Sequence, residues 1–354
     1  RDTTQNDYDQ HKQKVIEIGG TQVKPGERKL VELPVANLYT NTQMHLPVHV
    51  VNGRVAGPTL FISAAIHGDE LNGVEIIRRL LIRRRFERLK GCLICIPVIN
   101  SFGMLQHSRY SPDGRDLNRS FPGSERGSLT ARLCHIFLEQ VVKKCDYGID
   151  LHTGAQHRSN LPQIRGNLDD EQIAELASSF GVPVLLNANE RDGSLRQVAT
   201  ENNVKVLLYE AGEALRYDEV SIKVGVAGIL NVMRKLGMIV ATRRKKPLPE
   251  PFVARSSRWL RAPDSGSFQA KVGLGDRVNK GDLIGTVFDP TNIFSGFSAR
   301  LVSPFDGIVI GESRIPLVNE GDALVHLARF EADMAEVAAE MDIFHEAYGT
   351  DELR

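Results

Sequence analysis

Apolar residues run almost unbroken through TLFISAAI (59–66) and CLICIPVIN (92–100), the pattern of strands covered on both faces. Between them, NGVEIIRRLLIRR (72–84) spaces Val74, Ile77, Leu80 and Leu81 at helical intervals. The two patterns keep alternating. SLTARLCHIFLEQVVKK (128–144) reads as a helix, and DYGIDLH (146–152) and NVKVLLYEAG (203–212) read as strands. A helix over about 219–236 aligns Ile222, Val226, Ile229, Met233 and Leu236. Upstream, VIEIGG, KLVELPVANL and LPVHVVNG are strands punctuated by Gly and Pro. Buried strands alternating with amphipathic helices predict an α/β fold, with a mixed, mostly parallel central sheet flanked by helices.

The pattern changes near residue 240. VATRRKKPLPEPFV carries a basic run and three prolines and reads as a solvated linker. Residues 255–330 are then glycine-rich and strand-like, without helical period. They repeat: Ala262-Pro263-x-x-Gly266 returns as Ser303-Pro304-x-x-Gly307, and Val278-Asn279-x-Gly281-Asp282 as Val318-Asn319-x-Gly321-Asp322. Two copies of a strand–turn unit predict a small β structure of approximate two-fold symmetry, which resembles the barrel-sandwich fold of biotinyl and lipoyl carriers. Such carriers present a lysine between their halves, but no lysine follows Lys280, so a structural module is expected. FEADMAEVAAEMDIFHEAY aligns Met334, Val337, Met341, Phe344 and Tyr348 on one helical face that docks on the protein or on a neighbouring subunit. The expected organisation is an α/β catalytic domain over 1–245, a smaller all-β domain over 255–330 and a C-terminal helix over 331–354.

Composition narrows the function classes. Of 354 residues, 42% are hydrophobic and 25% charged, enough to bury a core. Lys plus Arg equals Asp plus Glu at 44 each, which argues against a general nucleic-acid or acidic-membrane binder. No apolar run approaches a membrane span of about 18–20 residues. The stretch RDTTQNDYDQHKQK has no apolar h-region, so no secretion signal is expected; an initiator Met is also missing. Cys92, Cys95, Cys134 and Cys145 lack the second pair of a zinc ribbon and read as buried thiols in a reducing cytoplasm.

The candidate chemistry sits where strands end. AAIHGDELNG (64–73) places His67, Asp69 and Glu70 just past a buried strand, at the edge where open α/β sheets bind ligands. His67 and Glu70, three apart, can be aimed at one point by a single turn. Asp150-Leu151-His152-Thr153-Gly154 ends another strand in the same way. His, Glu and a later His form a common three-ligand set for catalytic zinc. The loop GRDLNRSFPG (114–123) concentrates Arg115, Asp116, Asn118 and Arg119, and arginine offers a planar fork for a carboxylate. Tyr209-Glu210-Ala211-Gly212-Glu213 closes a third strand. Position favours Glu210 over Glu213 as the carboxylate facing the metal.

HGDE, DLNRSFPG, DLHTG and YEAGE, in this order, resemble the succinylglutamate desuccinylase/aspartoacylase family of the zinc carboxypeptidase-like superfamily. The resemblance spans roughly 45–330 and includes a C-terminal β domain. It implies hydrolysis of the amide of a small N-acyl amino acid with one zinc per chain. It further implies His67, Glu70 and His152 as zinc ligands, Glu210 as general base, and Asn118 and Arg119 as holders of a substrate carboxylate. Arg109 matches the arginine that polarises the scissile carbonyl, although the segment is two residues longer than the family pattern and leaves Arg115 as a substitute. Arg196 matches a further substrate arginine, and Asp69 supports the turn. Two other readings compete: a zinc carboxypeptidase acting on peptides, and a non-catalytic binding protein on the same fold. A serine hydrolase would need GxSxG and an ATPase GxxxxGK[ST], and neither occurs; GLGDRV (273–278) lacks the last glycine of a dinucleotide fingerprint. The expected partner is a small N-acyl amino acid or amine, with no nucleic acid and no membrane; a homo-oligomer is compatible with the docking helix. The location expected is cytoplasmic.

Overall fold

The computed structural model describes residues 12–82, 84–241, 250–254, 256–330 and 332–348. Part of the basic, proline-containing segment (242–249) and the polar start of the chain (1–11) therefore lie outside the described residues.

The first strands are β1 (Ile16–Ile18), β2 (Thr21–Val23), β3 (Arg28–Asn37), β4 (Gln43–Asn52) and β5 (Val55–Ala64). Helix α1 (Asn72–Leu81) leads to β6 (Lys90–Ile96), short α2 (Ser101–Leu105) and α3 (Leu129–Gln140). Then come β7 (Tyr147–Gly154), β8 (Arg158–Gly166), α4 (Glu171–Phe180), β9 (Val184–Asn187), α5 (Leu195–Glu201), β10 (Lys205–Glu213) and α6 (Glu219–Lys235). β5, β6 and β7 are buried along most of their length, as their apolar runs require. α1 buries Ile76, Ile77 and Leu80 and turns Arg78 and Arg79 outward. α6 starts at Asp218, whose carboxylate accepts from the Ser221 amide at 2.6 Å.

β6, β5, β7 and β10 lie side by side and parallel, so their carboxyl ends share one edge. β3 and β4 extend the sheet antiparallel on one side, and β8 on the other. One face is covered by α1, α4 and α6, where Phe180 stacks on Tyr209 at 5.0 Å. Gly228 of α6 permits this approach, since a Cβ there would lie 2.0 Å from the Phe180 ring. The other face is covered by α3 and α5, where Phe137 meets Phe61 edge-on at 5.9 Å.

The rest of the chain adds β11 (Phe252–Ala254), β12 (Ser256–Arg261), β13 (Gly266–Ala270), β14 (Arg277–Val278), β15 (Leu283–Phe288), β16 (Ser298–Val302), β17 (Gly307–Ser313), β18 (Leu317–Val318), β19 (Ala323–Arg329) and helix α7 (Met334–Tyr348). The half-repeats pair reciprocally. Gly266 of the first faces Val318 of the second, and Val278 of the first faces Gly307 of the second. The turns match: Asp282 accepts from the Asn279 amide at 2.7 Å and Asp322 from the Asn319 amide at 2.8 Å. The sheet does not stop where the composition changes. β17 pairs antiparallel with β8, setting Gly311 opposite Asn160 and Ser313 opposite Arg158, and β19 and β12 continue outward. α7 buries Val337, Met341 and Phe344 in the core shared with α6.

The four cysteines are free and buried, and burial pushes the Cys92 thiol up to about 12. Among the described residues, no helix is long and apolar enough to cross a membrane.

Candidate active site

β5 ends at Ala64, and Ala65 takes a left-handed conformation (φ 51°) that turns the chain sharply. Gly68 then packs on the backbone of Gly103; a Cβ there would sit 2.2 Å from the Gly103 carbonyl carbon. The turn closes with the Glu70 amide donating to the His67 carbonyl at 3.1 Å. This local geometry brings His67 Nδ1 to 2.7 Å from Glu70 Oε1. From the end of β7, His152 Nδ1 reaches Glu70 Oε2 at 2.9 Å. One ligand atom from each of the three residues lies within 4.8 Å of the others, and all three are buried.

The second nitrogen of each imidazole is anchored. His152 Nε2 lies 2.7 Å from Asp150 Oδ2, and Asp150 Oδ1 accepts from Ser63 Oγ at 2.7 Å. Asp150 and His152, two apart on a strand, share a face, and Ser63 is opposite Asp150 in the register of β5 and β7. His67 Nε2 lies 3.2 Å from Asp116 Oδ1, and Asp116 also accepts from Arg109 Nη2 at 3.0 Å. The Thr153 amide donates to Glu70 Oε2 at 3.2 Å. These contacts set the charges. Burial alone would raise the Glu70 carboxyl, but the two imidazoles outweigh it and hold it well below the usual carboxylate range. Burial opposes charging of His67 and His152, yet the neighbouring carboxylates raise both.

Two imidazoles and a carboxylate, converging from rigid strand ends with carboxylates behind the rings, fit a zinc ion. Both Nδ1 atoms face the shared carboxylate, while both Nε2 atoms are held from behind.

The triad opens on a cavity of about 450 Å³, lined also by Arg109, Asn118, Arg119, Arg196 and Glu210. Its size suits a small molecule. Glu210 lies opposite His152 in the register of β10 and β7. Asn160 Nδ2 donates to Glu210 Oε1 at 2.5 Å. Arg165 Nε forms an ion pair with Oε2 at 2.9 Å, without the alignment of a hydrogen bond. Glu213 instead accepts from the His157 amide at 3.2 Å and does not line the cavity. Arg109 lines the cavity and reaches to 3.5 Å from Glu70 Oε1, whereas the Arg115 side chain is 63% exposed and near Asp113. Asn118 is partly committed: its Oδ1 accepts from the Leu195 amide at 2.9 Å and so seats the start of α5. Arg119 donates to the Asn118 carbonyl at 2.6 Å, and Arg196 to the Ala188 and Asn189 carbonyls at 3.2 and 3.4 Å. Asp69 is buried, with one carboxylate oxygen lacking a hydrogen-bond partner.

Sequence reasoning missed the orienting roles of Asp116 and Asp150, although both stand inside the motifs; the two-residue spacing Asp150-x-His152 carried the signal. It also missed Asn160 and Arg165 on β8 and Trp259 on β12, all of which line the cavity. No local signal links Trp259 to the site, since the sheet pairing alone brings it there.

A family model described as the succinylglutamate desuccinylase/aspartoacylase catalytic domain matches residues 56–236. The N-alpha-acetyl-L-2,4-diaminobutyric acid deacetylase of Halomonas elongata is 30% identical over 294 residues, covering 80% of this chain and 85% of that protein. A succinylglutamate desuccinylase/aspartoacylase from Rhodobacter sphaeroides superposes with a TM-score of 0.75 at 25% identity, covering 86% of this chain and 95% of that one. The product-bound ectoine utilization protein EutE (DoeB) of Ruegeria pomeroyi, at 22% identity and TM-score 0.76, shares the fold over 90% of this chain and 99% of that one.

Proposed function

The chain belongs to the succinylglutamate desuccinylase/aspartoacylase family, and on that premise we propose that it is a zinc-dependent amidohydrolase that releases a short acyl group from a small N-acyl amino acid. The observation that carries this reading is the buried His67–Glu70–His152 cluster, opening on a cavity that also holds Glu210 and Arg119.

His67, Glu70 and His152 would hold the ion, which when bound supplies positive charge that makes water acidic enough to react near neutral pH. Glu210 takes the proton of the attacking water and passes it to the departing amine, so that nitrogen leaves as a neutral amine. Asn160 and Arg165 fix the Glu210 carboxylate for this transfer. Arg109, held by Asp116, directs positive charge at the carbonyl oxygen as it becomes an oxyanion. Arg119 offers its fork to the substrate carboxylate. Asn118 assists through its amide NH₂, because its oxygen is spent on Leu195. The cavity volume favours such substrates over peptides.

The test is a deacylation screen of N-acetyl, N-succinyl and N-formyl amino acids and diamines, run beside short peptides with zinc-loaded enzyme. Turnover of one acyl amino acid class, with peptides untouched, is expected. Preferential removal of C-terminal residues from peptides would overturn the reading.

A further inference from the structure

Both oxygens of the Glu210 carboxylate are held from β8. Asn160 Nδ2 donates to Oε1 at 2.5 Å, and Arg165 Nε pairs with Oε2 at 2.9 Å. A regular strand would not supply both. Gln163 lies opposite Glu210 and Asn160 opposite Gly212, so β8 advances three residues where β10 advances two. The extra residue falls at Leu161-Pro162, and proline has no N–H to lose from the ladder. Residues three apart point to opposite faces of a regular strand; this bulge turns Asn160 toward the side that Gln163 and Arg165 share.

β17 backs both contacts. Gly311 lies opposite Asn160, so the buried Asn160 amide stands in a row between two glycines, Gly212 and Gly311. A Cβ on Gly311 would lie 2.8 Å from Asn160 Oδ1, and only a hydrogen there leaves the amide its place. The second contact leads to the same strand. Arg165 Nη2 donates to Gln163 Oε1 at 3.5 Å, and buried Gln163 donates through Nε2 to the Ile310 carbonyl at 3.2 Å. Ile310 is the extra residue of another bulge, since Val309 faces Leu327 and Gly311 faces His326 on β19. The two routes from Glu210 thus end on adjacent residues of β17. Behind them, β12 pairs with β19 and sets Trp259 opposite His326, where the rings stack with centroids 4.7 Å apart and planes within 11°. A Cβ on Gly311 would also come within 3.1 Å of His326 Cβ and 3.4 Å of the indole. His326 is buried, and burial, then the Arg165 charge, pushes it down to about 3, so no second cation stands beside Arg165.

We propose that Gly311 is a positioning residue for Glu210: it leaves room for the Asn160 amide and, with the Ile310–Gln163–Arg165 link, makes β17 the support that aims the base. This rests on the amidohydrolase reading above, in which Glu210 takes the proton of the attacking water. Proton transfer depends steeply on geometry, and a carboxylate held through both oxygens has one orientation left to it. Gly311, Ile310 and Gln163 do not line the cavity. The β region therefore acts on the chemistry from outside the cavity, through the carboxylate it holds in place.

The experiment compares zinc-loaded, full-length wild type with Gly311→Ala, Asn160→Ala, the double variant and Gln163→Met, on the acyl amino acid that the screen selects. Gly311→Ala and Asn160→Ala should each lower kcat about 10- to 100-fold with KM nearly kept, the loss expected when a charge-assisted hydrogen bond goes or a reacting group shifts. The double variant should be no slower than Asn160→Ala alone, because the added methyl acts through the amide. Losses that multiply would place the effect in the Trp259–His326 stack and overturn the proposal, as would an unchanged kcat in Gly311→Ala. Gln163→Met cuts the second route without touching Gly311. It should lower kcat about 5- to 10-fold with KM kept, and it carries the test if circular dichroism shows Gly311→Ala unfolded; an unchanged kcat there would refute the support by β17. A reading without turnover separates this proposal from the reading it rests on. The side-chain NH₂ signal of Asn160, identified by NMR from its loss in Asn160→Ala, should lie downfield in wild type because the amide donates to a carboxylate, and should move toward that of a free amide in Gly311→Ala. If Glu210→Gln stays active, the base lies elsewhere, yet the signal should still move. A signal unmoved by Gly311→Ala refutes the positioning role whatever the activity.

Discussion

Replacing Asp150 with Asn tests the proposed metal site through a residue that would not touch the ion. Asp150 is 1% exposed and lies between His152 Nε2 and Ser63 Oγ, each 2.7 Å away. Asn has the same shape. Its carbonyl oxygen can accept from His152 and its NH₂ can turn to Ser63, whose hydroxyl can also accept. The contacts survive and the negative charge does not. A hydrogen bond to a charged group contributes about 1.5–3 kcal/mol and a neutral one about 1, so the difference is about 1–2 kcal/mol. Zinc affinity should therefore fall about 5- to 30-fold, near the range of about 10–100 for changes behind a metal-binding histidine. The assay is zinc titration against a competing chelator, with circular dichroism and the thermal midpoint as controls for folding. Unchanged affinity in a folded variant would show that Asp150 does not set the ring, and would remove the argument that His152 binds through Nδ1. A loss as great as that of His152→Ala would show that Asp150 does more than orient.

Three further outcomes follow from the same geometry. Glu210→Gln should keep its zinc by elemental analysis and lose about 10²–10⁴ in turnover; near-normal turnover would move the base elsewhere. Arg119→Lys keeps the charge but loses the fork, so KM should rise; equal hydrolysis of substrates with and without any carboxylate would defeat this assignment. His326 is pushed from 6.5 down to about 3, so the unfolded chain binds more protons between these values. Its contribution to stability is intact above about pH 6.5 and falls as pH drops toward 3, by about 2 kcal/mol at pH 5. Denaturant midpoints at pH 7 and 5 should show a steeper decline for wild type than for His326→Gln, and parallel declines would contradict it.

The turn that carries His67 and Glu70 could be read from the chain because a strand buried on both faces writes itself as an apolar run, and its carboxyl end marks the ligand edge. His67, Glu70, His152 and Glu210 all follow such runs. β8 was invisible for the opposite reason. RSNLPQIRG is buried along most of its length although it is largely polar. Asn160 and Arg165 serve Glu210, and Gln163 donates to the Ile310 carbonyl at 3.2 Å, so function and cross-strand contacts replace the hydrophobic pattern. The continuation of the sheet through β17 was equally hidden, since strand register between distant segments leaves no local mark. Asn118 shows a third limit. Its residue type fitted carboxylate binding, but half of its amide seats Leu195. What separates Arg109 from Arg115 in space, the one lining the cavity and the other exposed beside Asp113, leaves no mark in their spacing along the chain.

The pairing of Trp259 with His326 has a consequence for synthesis. A ribosome makes β12 well before β19, at about 5–20 residues per second. Until β17 and β19 emerge, β8 is unpaired on that side only over Arg158–Asn160, since β9 already covers Gln163–Gly166, and Trp259 has no imidazole beneath it. The nascent protein thus spends several seconds with its triad residues already made and one wall of the cavity missing. During that interval the unpaired Arg158–Asn160 end of β8 is a site for chaperone capture or strand addition by another chain. The wall of the cavity that Trp259 forms is therefore completed last, with the strands that finish the sheet.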